Sequence, residues 1–187
     1  FRVEPDAQPQ GEGTQALDEF ELASRLSYFL WSSMPDDELL DAAARGELAA
    51  NIEAHTLRML ADPKSRALVE SFAPQWLQIQ RLATFAPDRE LFPTFNDRLR
   101  AAMLTETSLF FESVMREDRS ILDLIDADYT FLNERLANHY GVSAANGDPI
   151  EGDEFRRVSL PQGQRGGLLT QASVLTVTSN PTRTSPV

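Results

Sequence analysis

The stretch TFNDRLRAAMLTETSLFFESVMREDR, Thr94 to Arg119, decides how the rest of the chain is read. Taken as a helix, it sets Leu99, Met103, Glu106, Phe110 and Val114 along one face, with Ala102, Leu109 and Ser113 beside them. That is the spacing of a core-facing stripe. One of its members is a carboxylate. Thr94 is placed to cap the first turn, Asp97 suits the positive end of the helix dipole, and Pro93 stops any helix arriving from upstream. A helix over about 95–117 would run on the order of 30 Å, long enough for shorter helices to pack along it. The predicted fold is therefore mainly α: a multi-helix, bundle-like domain around this long central helix, with a small irregular, β-containing C-terminal segment.

The flanking stretches supply those shorter helices. Asp18 with Glu21 forms a capping box, and Leu22, Leu26, Phe29 and Leu30 then recur at helical spacing, with Tyr28 and Trp31 widening the apolar face. Pro35-Asp36-Asp37 marks a fresh start, Leu39 and Leu40 face inward, and Gly46 closes a short helix. A third helix, Ala50 to Ala61, turns Ile52, Thr56, Met59 and Leu60 inward and leaves His55 at the edge. Asp62-Pro63 opens a fourth, in which Leu68, Phe72, Trp76 and Ile79 form an aromatic stripe interrupted by Pro74. Phe85, Leu91 and Phe92 predict that the loop from Thr84 to Pro93 lies on the core.

After the central helix, Ser120 and Asp123 open a brief turn through Ile121, Leu122 and Ile125. Thr130 then caps a helix with Asn133 at its third position; Leu132, Leu136, His139 and Tyr140 make the inner face, and Gly141 closes it. Phe155 to Leu160 alternates like a strand, Arg165 to Val174 predicts a last helix, and Thr176 to Pro186 an extended or irregular segment.

At 187 residues, 42% hydrophobic and 25% charged, the chain has ordinary globular composition. A net charge of -12 and a pI near 4.6 argue against nucleic acid as a partner, because phosphate binding needs a basic patch and the sequence has no Lys/Arg cluster of useful size. There is no cysteine, hence no disulfide, no thiolate nucleophile and no haem-attachment motif within the chain. Two histidines, His55 and His139, rule out a three-histidine metal site. No apolar run approaches the about 18 residues that span a bilayer. The chain starts at Phe1 without Met and stops at Val187, and it reads as a piece of something longer.

Glu106 is the most suggestive single residue, since a buried carboxylate must be neutralised, paired or metal-bound. His139 also falls on an apolar stripe, so the expected partner of Glu106 is His139 or an arginine such as Arg25; the bland alternative is that Glu106 leans to the stripe's edge and reaches water. A di-iron bundle site fails, because neither histidine follows a Glu by three residues. Glu53 and His55, two apart on a helix, point to different sides. Asp148, Glu151, Asp153 and Glu154 lack the spacing of a calcium-binding loop and read as a solvated acidic loop. No nucleophile elbow appears, and the run Gly163 to Gly167 lacks the Lys-Ser/Thr ending of a phosphate loop.

Three stretches together, ELASRLSYFLWSSMPDDELL (Glu21–Leu40), YTFLNERLANHYG (Tyr129–Gly141) and RGGLLTQASVLTVTSNPTRTSPV (Arg165–Val187), resemble the domain of unknown function 1592 followed by the beginning of the domain of unknown function 1588. Such modules occur in large secreted planctomycete-type cytochrome c proteins. Composition, pattern and the resemblance together divide the chain into residues 1–15, a Pro-, Gln- and Gly-rich linker or the end of a preceding module; 16–142, the helical domain; 143–163, a loop and short strand; and 164–187, the start of a following module. It implies an extracytoplasmic parent (periplasmic, cell-surface or secreted) carrying haem c elsewhere in its chain. The fragment itself would hold no cofactor or metal, and its partners would be neighbouring haem-bearing modules of the same chain or a protein redox partner.

Two main readings of function follow. In one, the chain is a non-catalytic helical scaffold or docking domain of a secreted c-type-haem redox protein. In the other, it forms half of a haem-dependent oxidoreductase site completed by the next module, with Arg183, Asn180 or His139 shaping the pocket. Glu106, His139 and Arg183 are then the candidate catalytic residues; an extracellular glycan-binding module is a third possibility. A scaffold predicts flat or packed surfaces. A half-site predicts an open concavity near 176–187 with converging polar side chains, and a fragment lacking its continuation predicts poor packing of those last residues.

Overall fold

The computed structural model describes residues 17–143, 147–160 and 165–180, together with the backbone of 183–184. The predicted linker over 1–15 and the side chains of Asn180 and Arg183 lie outside the described residues. The chain divides into two compact units, 1–58 and 59–187, with the division falling inside one helix. Among the described residues there are eight α-helices and two small antiparallel sheets, a mainly α fold with a β-containing C-terminal part.

In the first unit, α1 (Glu19–Trp31) starts on the predicted capping box: the Asp18 carboxylate accepts from the Glu21 N–H at 2.7 Å and Glu21 accepts from the Asp18 N–H at 3.0 Å. α2 (Asp37–Ala44) is capped by Asp36, which accepts from the Leu39 N–H. The Glu19 carboxylate takes the backbone N–H groups of Leu48 and Ala49, which ties the turn after α2 to the start of α1. Arg58, on α3 (Ile52–Ala61), pairs with Asp36 at 2.7 Å and lies 5.7 Å from the Trp31 ring centre. Trp31 and Leu30 are buried, but Phe29 and Tyr28 are exposed, so the inner face of α1 runs through Ala23, Ser27 and Leu30. Ile52, expected inside, is also exposed.

The second unit is built on α5 (Asp97–Arg116). Its buried residues are Leu99, Ala102, Met103, Glu106, Thr107, Phe110, Ser113 and Val114, which reproduces the predicted stripe except for Leu109, which is only half-buried. The cap differs: Asn96, two residues after Thr94, accepts from the Leu99 N–H at 3.0 Å. α4 (Arg66–Trp76) follows a 3-10 turn opened by Asp62 and Pro63, and ends two residues after Pro74. Its core face is Leu68, Val69 and Ala73; Phe72 and Trp76, expected inside, are exposed and stack on one another with ring centres 5.8 Å apart. In the following loop Phe85 and Phe95 rest on the core, whereas Leu91 and Phe92 are exposed.

The main departure comes after the short helix α6 (Asp123–Asp126), where Ile125 and the preceding Ile121 and Leu122 are exposed. Tyr129–Leu132 is not the start of a helix but the strand β1, antiparallel to β2 (Arg156–Ser159) with Thr130 opposite Val158. Asn133, not Thr130, caps α7 (Glu134–Tyr140), and Gly141 ends it at φ +65°. The predicted last helix is a 3-10 turn, Leu168–Thr170, followed by α8 (Ala172–Val177). β3 (Ser179–Asn180) and β4 (Arg183–Thr184) pair antiparallel beyond it. Packing does not stop at residue 142: Ile150, Val158 and Ala172 share one core with Leu99, Met103 and Leu136, and Leu168 joins a second with Phe110 and Tyr129.

Candidate functional site

Glu106 sits in the middle of α5 and is 1% exposed. Its two carboxylate oxygens are each held by a hydroxyl: Thr130 of β1 donates to Oε1 at 2.7 Å, and Tyr140 of α7 donates to Oε2 at 2.6 Å. The Tyr140 oxygen in turn accepts the Ala172 N–H at the start of α8. One carboxylate thereby joins four elements. Burial pushes the Glu106 carboxyl up to about 7, against the opposing pull of the Thr130 and Tyr140 hydroxyls and of the Arg165 charge. Burial and the neighbouring Glu106 raise the Tyr140 phenol well above its usual range. Arg165 lies 3.9 Å over the Tyr140 ring and donates to the Thr170 carbonyl at 2.8 Å.

A cavity of about 10 Å³ adjoins the carboxylate, lined by Glu106, Thr130, Tyr140, Arg165 and Gln171 among others. That is room for one water-sized group. Gln171, 3% exposed, accepts from the Thr107 hydroxyl through Oε1, while its Nε2 has no hydrogen-bond partner among the described residues. Thr107 also shares a 2.6 Å hydrogen bond with Ser173, so the polar cluster continues along the buried side of α5.

On the other side of Tyr140 and Arg165 opens a groove of about 580 Å³. Met103 and Leu99 of α5 line it, Phe85, Phe92 and Phe95 come from the loop before α5, and Leu175, Thr176 and Ser179 from α8 and beyond. His139, Tyr140 and Arg165 bring polar groups to one wall, and Asp88 stands among the loop residues. His139 is exposed; burial against the wall and then the Arg165 charge lower its pKa. The arrangement is an apolar trough with a small set of converging polar groups, the usual make-up of a binding site. Among the described residues, no three His, Cys, Asp or Glu side chains gather where a metal ion could be held.

The family described as PSD4, protein of unknown function (DUF1592), matches residues 17–142, about two thirds of the sequence. The chain belongs to the DUF1592 family. No curated protein and no solved structure matches it. The match takes in Glu106, Thr130, His139 and Tyr140 and ends before Arg165, Gln171 and Ala172, so the polar cluster of this DUF1592 domain is completed by residues beyond the matched stretch.

Within the DUF1592 domain the sequence-derived candidates do not all meet. Glu106 is buried rather than turned to water, and its hydrogen-bond partners are Thr130 and Tyr140 rather than His139 or Arg25. His139 falls on the outer side of the last turn of α7, because Leu136 and Tyr140, four residues apart, take the inward positions. Arg25 is exposed on α1 of the first unit. The Arg183 backbone pairs in β4, and its side chain is outside the described residues. Thr130, Arg165 and Gln171 were not legible as site residues: Thr130 reads as a helix cap, and the other two lie in the stretch read as a last helix, where no local spacing links them to Glu106. Tyr140 was legible as inward-facing, though not as the partner of Glu106. Thr176 to Ser179 are half-buried, and the residues that follow are outside the description of side chains.

Proposed function

We propose that this DUF1592 domain is a non-catalytic docking module of a larger extracytoplasmic c-type-haem protein, and that it receives a neighbouring module in the groove between the 85–96 loop, α7 and α8. The observation that supports this reading best is the groove itself. It is a concave, mainly apolar surface whose rim keeps Phe92 46% and Leu175 37% exposed. Large side chains held this way gain when a partner covers them. The concavity is not the flat or packed surface expected of a scaffold, and it is the feature this reading shares with a half-site; the exposed apolar lining is what favours docking. One wall, Arg165, Ala172, Leu175, Thr176 and Ser179, belongs to the stretch that resembles the beginning of the domain of unknown function 1588, which supports that module as the neighbour. The haem context rests on the same resemblance. With no cysteine, this chain offers no thioether attachment for haem c, so the haem would be the neighbour's.

A second reading is favoured by the convergence of His139, Tyr140 and Arg165 on one wall beside Thr176 and Ser179, the sign expected of half a redox site. Haem c would supply electron transfer, and these residues would position groups against it. The two readings separate in one experiment, with the domain and the haem-bearing module purified apart and titrated together by calorimetry. Docking predicts binding that Leu175→Asp weakens by at least tenfold while the haem's visible bands and potential stay as they were. A half-site predicts that binding also shifts the haem potential and that His139→Ala removes the shift without removing the binding. No binding by the intact domain would end both.

A further inference from the structure

Carboxylates outnumber Lys and Arg by 29 to 17 in this chain, and five arginines of the second unit each pair with one. Arg66 pairs with Glu70, Arg100 with Asp97, Arg116 with Glu112, Arg119 with Asp123 and Arg157 with Glu117. Arg165 is, among the described residues, the one arginine or lysine that lines the groove. It is half-buried, fixed over the Tyr140 ring and bonded to the Thr170 carbonyl, and no carboxylate among the described residues stands within ion-pair distance of it. Glu106 feels its charge, but both Glu106 oxygens are already engaged by Thr130 and Tyr140. Burial raises that carboxyl, which weakens the negative charge opposite Arg165. One N–H of the guanidinium serves Thr170, and most of its donor fork is left for another acceptor.

The surroundings of that fork define what it could take. Met103, Phe85, Phe95 and Leu175 line the same groove, so an anion placed on Arg165 would meet it beside apolar walls, where a charge-assisted hydrogen bond is stronger than in open water. Of the other titratable groups on that wall, His139 is held toward its neutral form and the Tyr140 phenol is raised well above its usual range. Asp88, from the loop before α5, is the one carboxylate lining the groove among the described residues and would turn a negative group away from that side and toward Arg165. The trough does not end at Phe92 and Phe95: a second concavity of about 470 Å³ shares Ala86, Pro87, Phe92 and Phe95 with it and continues to Arg89 and the Arg100–Asp97 pair. Because the two concavities share these residues, an occupant can continue from one into the other, which suits a segment passing through rather than a chain end.

We propose that the groove recognises an apolar segment of the neighbouring module through an aspartate or glutamate side chain, with Arg165 as the anchor. The proposal rests on the docking reading of the groove. Its test uses three peptide probes, acetyl-Phe-Leu-Glu-Leu-Phe-amide, the same peptide with Gln for Glu, and the Gln peptide with a free C-terminal carboxylate. Binding is followed by NMR shifts of the Met103 methyl, the Leu175 methyls and the Arg165 Nε–H. The Glu peptide is expected to bind at least tenfold more tightly than its Gln counterpart, with shifts at all three positions. In Arg165→Gln the preference should vanish, and in Arg165→Lys, which keeps the charge without the fork and covers the case of a Gln variant that does not fold, it should be reduced but present. Equal binding of Glu and Gln peptides, a preference that survives Arg165→Gln, or no shift in the groove would overturn the proposal. A free-acid Gln peptide binding as tightly as the Glu peptide would overturn the choice of an internal side chain. Failure here with intact, Leu175-dependent binding of the haem module leaves docking standing; discrimination among the peptides without module binding removes docking alone.

Discussion

Glu106 is stabilised by two hydroxyl donors and destabilised by its burial, and burial wins. Because the folded carboxyl titrates at about 7 and the unfolded one near 4.5, the native state binds the extra proton between those values. Stability contributed at this position is therefore highest below pH 4.5 and is lost as pH rises toward 7, the reverse of an ion-paired carboxylate. Glu106→Gln removes the titration and keeps the side chain's shape. Urea denaturation across this range should show the variant gaining on the parent chain by about 3 kcal/mol as pH rises, and a constant difference would mean that Glu106 titrates normally. Tyr140→Phe tests the other half of the pair. It leaves the Ala172 N–H without its acceptor and Glu106 with one donor, so a loss of about 2 kcal/mol is expected. The Glu106 carboxyl, followed by carbon-detected NMR, should titrate higher still. The sequence placed Glu106 on a core stripe through helical period alone. It could not name Thr130 or Tyr140 as partners, because those contacts span 24 and 34 residues and no local spacing encodes them.

At the level of elements, what the sequence carried was period and punctuation. The α5 stripe, the Asp18–Glu21 box, the stop at Gly46 and the left-handed Gly141 all follow from local chemistry, and all are present. β1 was missed because four residues leading into an Asn-capped helix look like its first turn, and the strand exists only through pairing with β2. Phe72 and Trp76 were misplaced because hydrophobicity cannot say which of two adjacent faces of α4 turns inward; the small Ala73 and the branched Val69 take that place. Two adjacent glycines give a sharper test of how the C-terminal stretch meets α6. Gly167 has φ +58°, and a Cβ there would lie 2.4 Å from the backbone carbonyl of Ile125. At Gly166 the nearest atom, the Ala127 carbonyl oxygen, would be 3.4 Å away. Gly167→Ala should cost about 3 kcal/mol or more, since the obstruction is backbone, while Gly166→Ala should stay within about 1 kcal/mol. Thermal melts of the pair check this; equal effects would mean that α6 and the 165–170 segment separate easily.

For the molecule as a whole, family membership and packing draw different boundaries. The DUF1592 match ends at 142, yet Ile150, Val158, Leu160, Leu168 and Val174 are all buried, β2 completes β1, and the Ala172 N–H completes Tyr140. At about 1.5–3 kcal/mol for each large apolar side chain, those five contribute on the order of 10 kcal/mol of burial. The net stability of a domain is about 5–15 kcal/mol, so the second unit has no margin to lose that stretch. A fragment limited to 17–142 should therefore unfold without a cooperative transition, lose its near-ultraviolet circular dichroism and bind a hydrophobic dye, whereas a fragment carried on to residue 180 should melt as the full chain does. The same comparison bears on the groove, because Arg165, Leu175, Thr176 and Ser179 form one of its walls. If the shorter fragment melted cooperatively at the full chain's midpoint, the 150–177 stretch would be an appendage to the helical fold, and a binding surface that depends on it could be neither rigid nor preformed.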